Sequence, residues 1–180
     1  MQHFKTPVGR IYAYGDSEEV DTDAKTINGV HYANMPDDLT PIDGDEARKI
    51  ANPPPSLDTL AKRKRRAIDA ARDQAFATGL DYDVAGEPDV VQTRAQDQIN
   101  LLGLRAKAES NKAAGVTDAV MEFRGKSNKT RMLNPEEMIA LTTAALDYIE
   151  GVYKRSWERK DAVAAALEDE DREGIEAVEW

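Results

Sequence analysis

Three consecutive prolines, Pro53-Pro54-Pro55, divide this chain more sharply than any other feature of its sequence. Proline fixes φ and lacks an amide donor, so neither a helix nor a sheet ladder runs through such a triplet. Residues 52–55 therefore read as a short, semi-rigid spacer of extended polyproline geometry. The texture differs on its two sides: residues 1–51 are short β-formers broken by turn residues, whereas 56–167 carry apolar residues at three- and four-residue spacing. The expectation is an α+β chain. It comprises a small β-rich N-terminal module (1–51), the proline linker (52–55), a mainly helical domain with two short β-hairpins (56–167), and an acidic tail (168–180).

Within the first module, residues 3–6 and 10–14 read as strands around the turn Pro7-Val8-Gly9. Residues 16–23 read as an acidic loop, and Asn28-Gly29 between β-branched and aromatic neighbours is a hairpin signal. A short helix capped by Asp43 follows. Beyond the linker, Ser56 caps a helix whose apolar stripe includes Leu57, Leu60, Ala61, Ile68, Ala71 and Ala75, and Gly79 stops it. Strands at 80–84 and 89–92 frame Gly86-Glu87-Pro88. Thr93 with Gln96 suggests a capping box opening a helix to about residue 114, and strands at 119–124 and 129–133 form the second hairpin. Asn134-Pro135-Glu136-Glu137 combines a cap, a proline at the first helical position and a box-closing Glu. The helix it opens is expected to reach about residue 167.

Composition narrows the function classes. A formal net charge of −10 argues against duplex nucleic acid, whose phosphates demand a dominant basic footprint, and favours a basic protein surface as partner. With no cysteine there are no disulfides, thiolate zinc sites or cysteine nucleophiles, which is compatible with folding in a reducing compartment. The first residues lack the apolar core of a secretion signal, and no run approaches a membrane span, so a non-exported, membrane-free protein is expected.

The order of certain segments carries a resemblance. Gln2-His3-Phe4-Lys5, Ile11-Tyr12-Ala13-Tyr14, Leu39-Thr40-Pro41 and Asn52-Pro53-Pro54 resemble the N-terminal region of bacteriophage tail-fibre assembly and tail-associated proteins. Ile68-Asp69-Ala70-Ala71-Arg72-Asp73, Asn134-Pro135-Glu136-Glu137 and the helix through Tyr148, Tyr153 and Trp157 resemble a phage domain of unknown function often appended to them. The resemblance implies a non-catalytic tail protein: an assembly chaperone or accessory factor that binds fibre protein in the host cytoplasm. The alternative is a structural component retained in the virion tail, baseplate or fibre. It supplies no catalytic, cofactor-binding or metal-binding residue, and it leaves room for a homo-oligomer.

The remaining candidates are residues for partner binding: Tyr12, Tyr14, Tyr148, Tyr153, Trp157 and Trp180. Tyr148, Ile149, Val152, Tyr153 and Trp157 form either a core face packed on the helix begun at Ser56 or a partner face, with core packing the default for an amphipathic stripe. The basic run Lys62-Arg63-Lys64-Arg65-Arg66 wraps more than a full turn, so it reads as a solvated surface with Lys64 lying along the apolar stripe. Asp81-Tyr82-Asp83 opens like a calcium loop, but Ala85 and Gln92 stand where ligands are required. His3 and His31, the sole histidines, lack metal-site spacing. The acidic residues after Leu167 oppose the macrodipole of the preceding helix, so they read as a frayed solubilising tail or as an arm docking on a basic partner through Ile175, Val178 and Trp180.

Overall fold

The computed structural model describes residues 1–180 as an α+β chain of two units, Met1–Ser56 and Leu57–Trp180. In the first, turn chemistry sets the topology. Strand β1 (Gln2–Lys5) pairs antiparallel with β2 (Ile11–Tyr14) on one side and with β6 (Thr40–Ile42) on the other. Between them lies a meander of three two-residue strands, β3 (Val20–Asp21), β4 (Thr26–Ile27) and β5 (Val30–His31). Asn28 and Gly29 both take positive φ, 50° and 77°, the requirement of a primed two-residue turn. Phe4, Met35 and Leu39 form the buried centre, and Tyr14 meets Phe4 edge-on at 5.6 Å. Helix α1 (Gly44–Ala51) starts as expected: the Asp43 carboxylate accepts from the amides of Asp45 (2.8 Å) and Glu46 (2.7 Å).

The second unit is built around one long helix. Helix α2 (Leu57–Thr78) leads into the hairpin β7 (Leu80–Val84) and β8 (Glu87–Val91). Helix α3 (Ala95–Ala113) precedes a second hairpin, β9 (Met121–Arg124) and β10 (Thr130–Leu133). Helix α4 (Pro135–Glu168) follows, 34 residues and so roughly 50 Å long, and α5 (Arg172–Ala177) closes the unit. Both α2 and α3 pack on α4. The larger core joins Phe76, Val84, Val91, Leu101, Phe123, Leu133, Met138 and Leu141; a smaller one joins Ala61, Ile68, Val163 and Ile175. None of the helices is long and apolar enough to cross a membrane.

Local signals of the second unit place its helix ends. Asn134 Oδ1 accepts from the Glu137 amide (2.9 Å), and Glu137 Oε2 accepts from the Asn134 amide (2.8 Å), the reciprocal box expected at α4. Gly79 ends α2 with φ +85°, and a Cβ there would lie 2.6 Å from the Val91 carbonyl oxygen, so the stop is fixed by close approach as well as by conformation. The expected box at Thr93 and Gln96 is not formed. Arg94 holds the capping position, its amide donating to Asp97 Oδ2 (3.0 Å), while Thr93 is fully buried and its hydroxyl donates to the Phe76 carbonyl (3.0 Å). An orphan carbonyl in the last turn of α2 has claimed the threonine.

The acidic tail also departs from expectation. At the end of α4, Glu170 turns into left-handed backbone (φ 53°), and the Asp171 amide donates to the Ala166 carbonyl at 2.8 Å. This closure reverses the chain. Asp171 then caps α5, accepting from the Gly174 amide (2.9 Å), with Glu173 in the first turn. The carboxylates that oppose the dipole of α4 therefore favour that of α5. Ile175 is fully buried, and Trp180 packs against both cores of the unit. The tail is a folded element, neither frayed nor a free arm.

Candidate interaction surface

Along α4, a residue's place on the helix decides whether it serves the core or the surface. Ile149 and Val152 are buried, as the core reading requires. Tyr148 is half-buried and its phenol donates to the Ala75 carbonyl (2.9 Å), tying α4 to α2; burial pushes that phenol above its ordinary pKa. Tyr153 packs on Phe76 with ring centroids 5.0 Å apart. Trp157, four residues later and one turn on, stacks on Tyr153 at 5.9 Å with an interplanar angle of 24°, yet remains 59% exposed. The face expected to be one thing or the other is thus graded, from core at Ile149 to open surface at Trp157.

Tyr153 and Phe76 line an open groove of about 420 Å³ together with Arg72, Asp73, Ala77, Arg94, Ala95 and Gln98. The end of α2 supplies one wall and the start of α3 the other. Arg72 is fixed by Asp69 (2.8 Å) and Asp73 (2.7 Å). The Lys160 ammonium, 2.5 Å from Asp69, is the main reason that the Asp69 carboxyl is held below its ordinary pKa. Aromatic faces beside the fixed Arg72 guanidinium and the unpaired Arg94 suit a partner segment with an apolar side chain and a nearby acid or carbonyl.

The other expected partner-binding residues lie elsewhere. Tyr12 and Tyr14 pack on the small core of the first unit. Trp180 lies with the Arg155 guanidinium 5.7 Å above its ring, so it serves the α2–α4–α5 junction. Lys64 does more than lie along the stripe: its ammonium donates to the carbonyls of Glu176 (2.5 Å) and Val178 (2.9 Å) at the end of α5. Of the aromatic set in this unit, Tyr153 and Trp157 are the pair that the structure brings together at the surface. Their four-residue spacing signals a shared face; which part stays open depends on where α2 ends.

A second polar constellation was invisible in the sequence. Arg131, buried on β10, donates to Asp89 Oδ2 (2.5 Å) and Glu87 Oε2 (3.1 Å) on β8. The Ser127 amide and hydroxyl also donate to Asp89, at 3.0 and 2.6 Å. Burial alone would raise the Asp89 carboxyl, but the Ser127 bonds, the Val90 amide and Arg131 bring it down to about 2. A Cβ at Gly125 would lie 2.7 Å from this carboxylate, so the second hairpin must turn on glycine there. With both terminal nitrogens of Arg131 bonded and only its Nε left without a partner, the constellation clasps the two hairpins together. No group of His, Cys, Asp and Glu has the arrangement of a metal site.

Residues 59–178 match the family model described as a domain of unknown function, DUF4376. The chain belongs to that family, and the matched stretch covers nearly all of the second unit and none of the first. No curated protein and no solved structure matches the chain.

Proposed function

We propose that this chain is a non-catalytic bacteriophage tail protein, an assembly chaperone or accessory factor that binds fibre protein through the Tyr153–Trp157 face. The observation that carries the reading is Trp157, 59% exposed and stacked on Tyr153, which itself lines an arginine-flanked groove. A held, exposed tryptophan loses little freedom on binding, and such residues are frequent interface hot spots. The resemblance of the segment order to tail-associated proteins supplies the partner class. Fibre subunits expose apolar surface and open strand edges before they assemble, and covering these prevents misassembly.

The test is co-expression with the fibre protein and capture of the complex. Trp157→Ala should weaken capture by roughly thirtyfold or more, a hot-spot effect, while the melting temperature of the protein changes little because the ring is largely in solvent. Undiminished capture by this variant would sink the reading. Mass spectrometry of purified particles separates an assembly factor, absent from them, from a stoichiometric tail component.

A further inference from the structure

Helix α3 has two apolar faces and this chain covers only one of them. Leu101 and Ala108 are buried against α4. On the far side, Ala95, Ile99, Leu102, Ala106, Glu109 and Ala113 follow one another at steps of four, three, four, three and four, the spacing of a helix–helix seam. All six are exposed, Ile99 by 63% and Leu102 by 54%. Isolated exposed apolar residues are ordinary, but a seam in register along one helix is not. Gly103 lies beside it. A mid-helix glycine is destabilising relative to alanine, and a Cβ there would meet nothing within 4 Å, so packing inside this chain does not account for it. The open space beside it leaves room for close approach of a second backbone.

We infer that this seam is the interface between two copies of the chain, with their α3 helices paired antiparallel about a two-fold axis. The order of sizes along the seam is self-complementary in that sense. Ile99 of one copy meets Leu102 of the other, and Ala95 meets Ala106, so bulky pairs sit at the axis and small ones at the rim. Charge selects the same direction. A parallel pair in register would stack Glu109 on Glu109, which is repulsive. The antiparallel pair carries Glu109 to within about one turn of the second copy's Arg94. That guanidinium enters no ion pair in its own chain and lies beside Arg72 in the groove. The positions flanking the seam, Gln96, Gln98, Gly103, Arg105, Ser110 and Lys112, hold no acid although the chain carries a net charge of −10. The flanks of the surface that must approach its own copy thus carry none of the acid that dominates the rest of the chain, and their charges are the cations Arg105 and Lys112.

The experiment uses the full chain in analytical ultracentrifugation at micromolar to hundred-micromolar concentration. The wild type should sediment with twice the mass of one chain. The double variant Ile99→Glu, Leu102→Glu should sediment as a single chain with an unchanged circular dichroism spectrum, because both side chains are exposed. A monomeric wild type over the whole range, or a dimer that survives the double variant, would overturn the inference. Direction is read by oxidation, since the protein has no cysteine of its own. Ala95→Cys combined with Ala106→Cys should yield a covalent dimer, the two sites on one helix being roughly 16 Å apart and unable to pair with each other. Ala95→Cys alone should not. Efficient cross-linking by Ala95→Cys alone, or none by the pair, would overturn the antiparallel arrangement. Ile99 and Leu102 do not line the groove, so sedimentation of their double variant is read separately from fibre capture, which Trp157→Ala reads.

Discussion

The hairpin side and the tail side of the second unit are closed by opposite means. On the hairpin side a buried cation, Arg131, is neutralised by Asp89 and Glu87 and the strands are held by Ser127. On the tail side the closure is apolar, with Ile175 and Trp180 against α2 and α4, while Lys64 binds neutral carbonyls at the edge and Arg155 lies over the Trp180 ring. A buried ion pair contributes little net stability, because desolvation offsets attraction, but it is intolerant of losing one member. An apolar plug contributes directly in proportion to what it buries and degrades by degrees. The first kind of closure fixes which strands pair, and the second adds stability.

The largest expected effect tests that intolerance. Asp89→Ala should lower the unfolding free energy by about 4 kcal/mol in urea denaturation, since Arg131 is left buried and unpaired. The double variant Asp89→Ala, Arg131→Met should recover a large part of the loss. If the double variant is as unstable as the sum of the single ones, the ion-pair account is wrong. Next, Ile175→Ala should cost about 3 kcal/mol as a buried large-to-small change. It should show no dependence on the residue at 89, because the two closures share no partner.

Acid should then distinguish the sides. The Asp89 carboxyl is lowered in the folded chain from 3.8 to about 2. Its contribution is therefore complete above the unfolded value and is lost as the pH falls from about 4 towards 2. Wild type should lose about 2 kcal/mol more than Asp89→Ala over that window. Equal acid sensitivity of the two proteins would remove Asp89 from the account. The smallest effect belongs to the tail. Lys64→Met, which keeps the stem and removes the donors, should cost about 1 kcal/mol in the same denaturation assay. A loss as large as that of Ile175→Ala would mean that the tail side too depends on its charge.

What the sequence made legible is whatever neighbouring residues settle among themselves. Asn28-Gly29 specifies its turn, Asp43 and Asn134 cap the helices that follow them, and the prolines at 53–55 fall immediately before α2. Each depends on contacts within four residues, so no distant partner can outbid it. Thr93 shows the limit. Its spacing to Gln96 fits a capping box, but a carbonyl 17 positions earlier took the hydroxyl, and the cap moved to Arg94. Of the candidate surface, the aromatic spacing at Tyr148, Tyr153 and Trp157 was readable, whereas the groove beside it requires α2 to end and α3 to begin where they do.

By itself, the sequence determined the α+β class, the Asn28-Gly29 turn, the caps at Asp43 and Asn134 and the four longer helices, because periodicity and local hydrogen bonding act over a few residues. Only the tertiary structure decided the fate of the charged and aromatic residues. Asp89 meets Arg131 across 42 positions, and Lys64 meets Val178 across 114. An acidic run that opposes one helix dipole became the cap of another once the chain reversed at Glu170. The physical reason is range: a hydrophobic period is a property of one segment, while the cost of burying a charge or a tryptophan is set by whatever arrives to meet it.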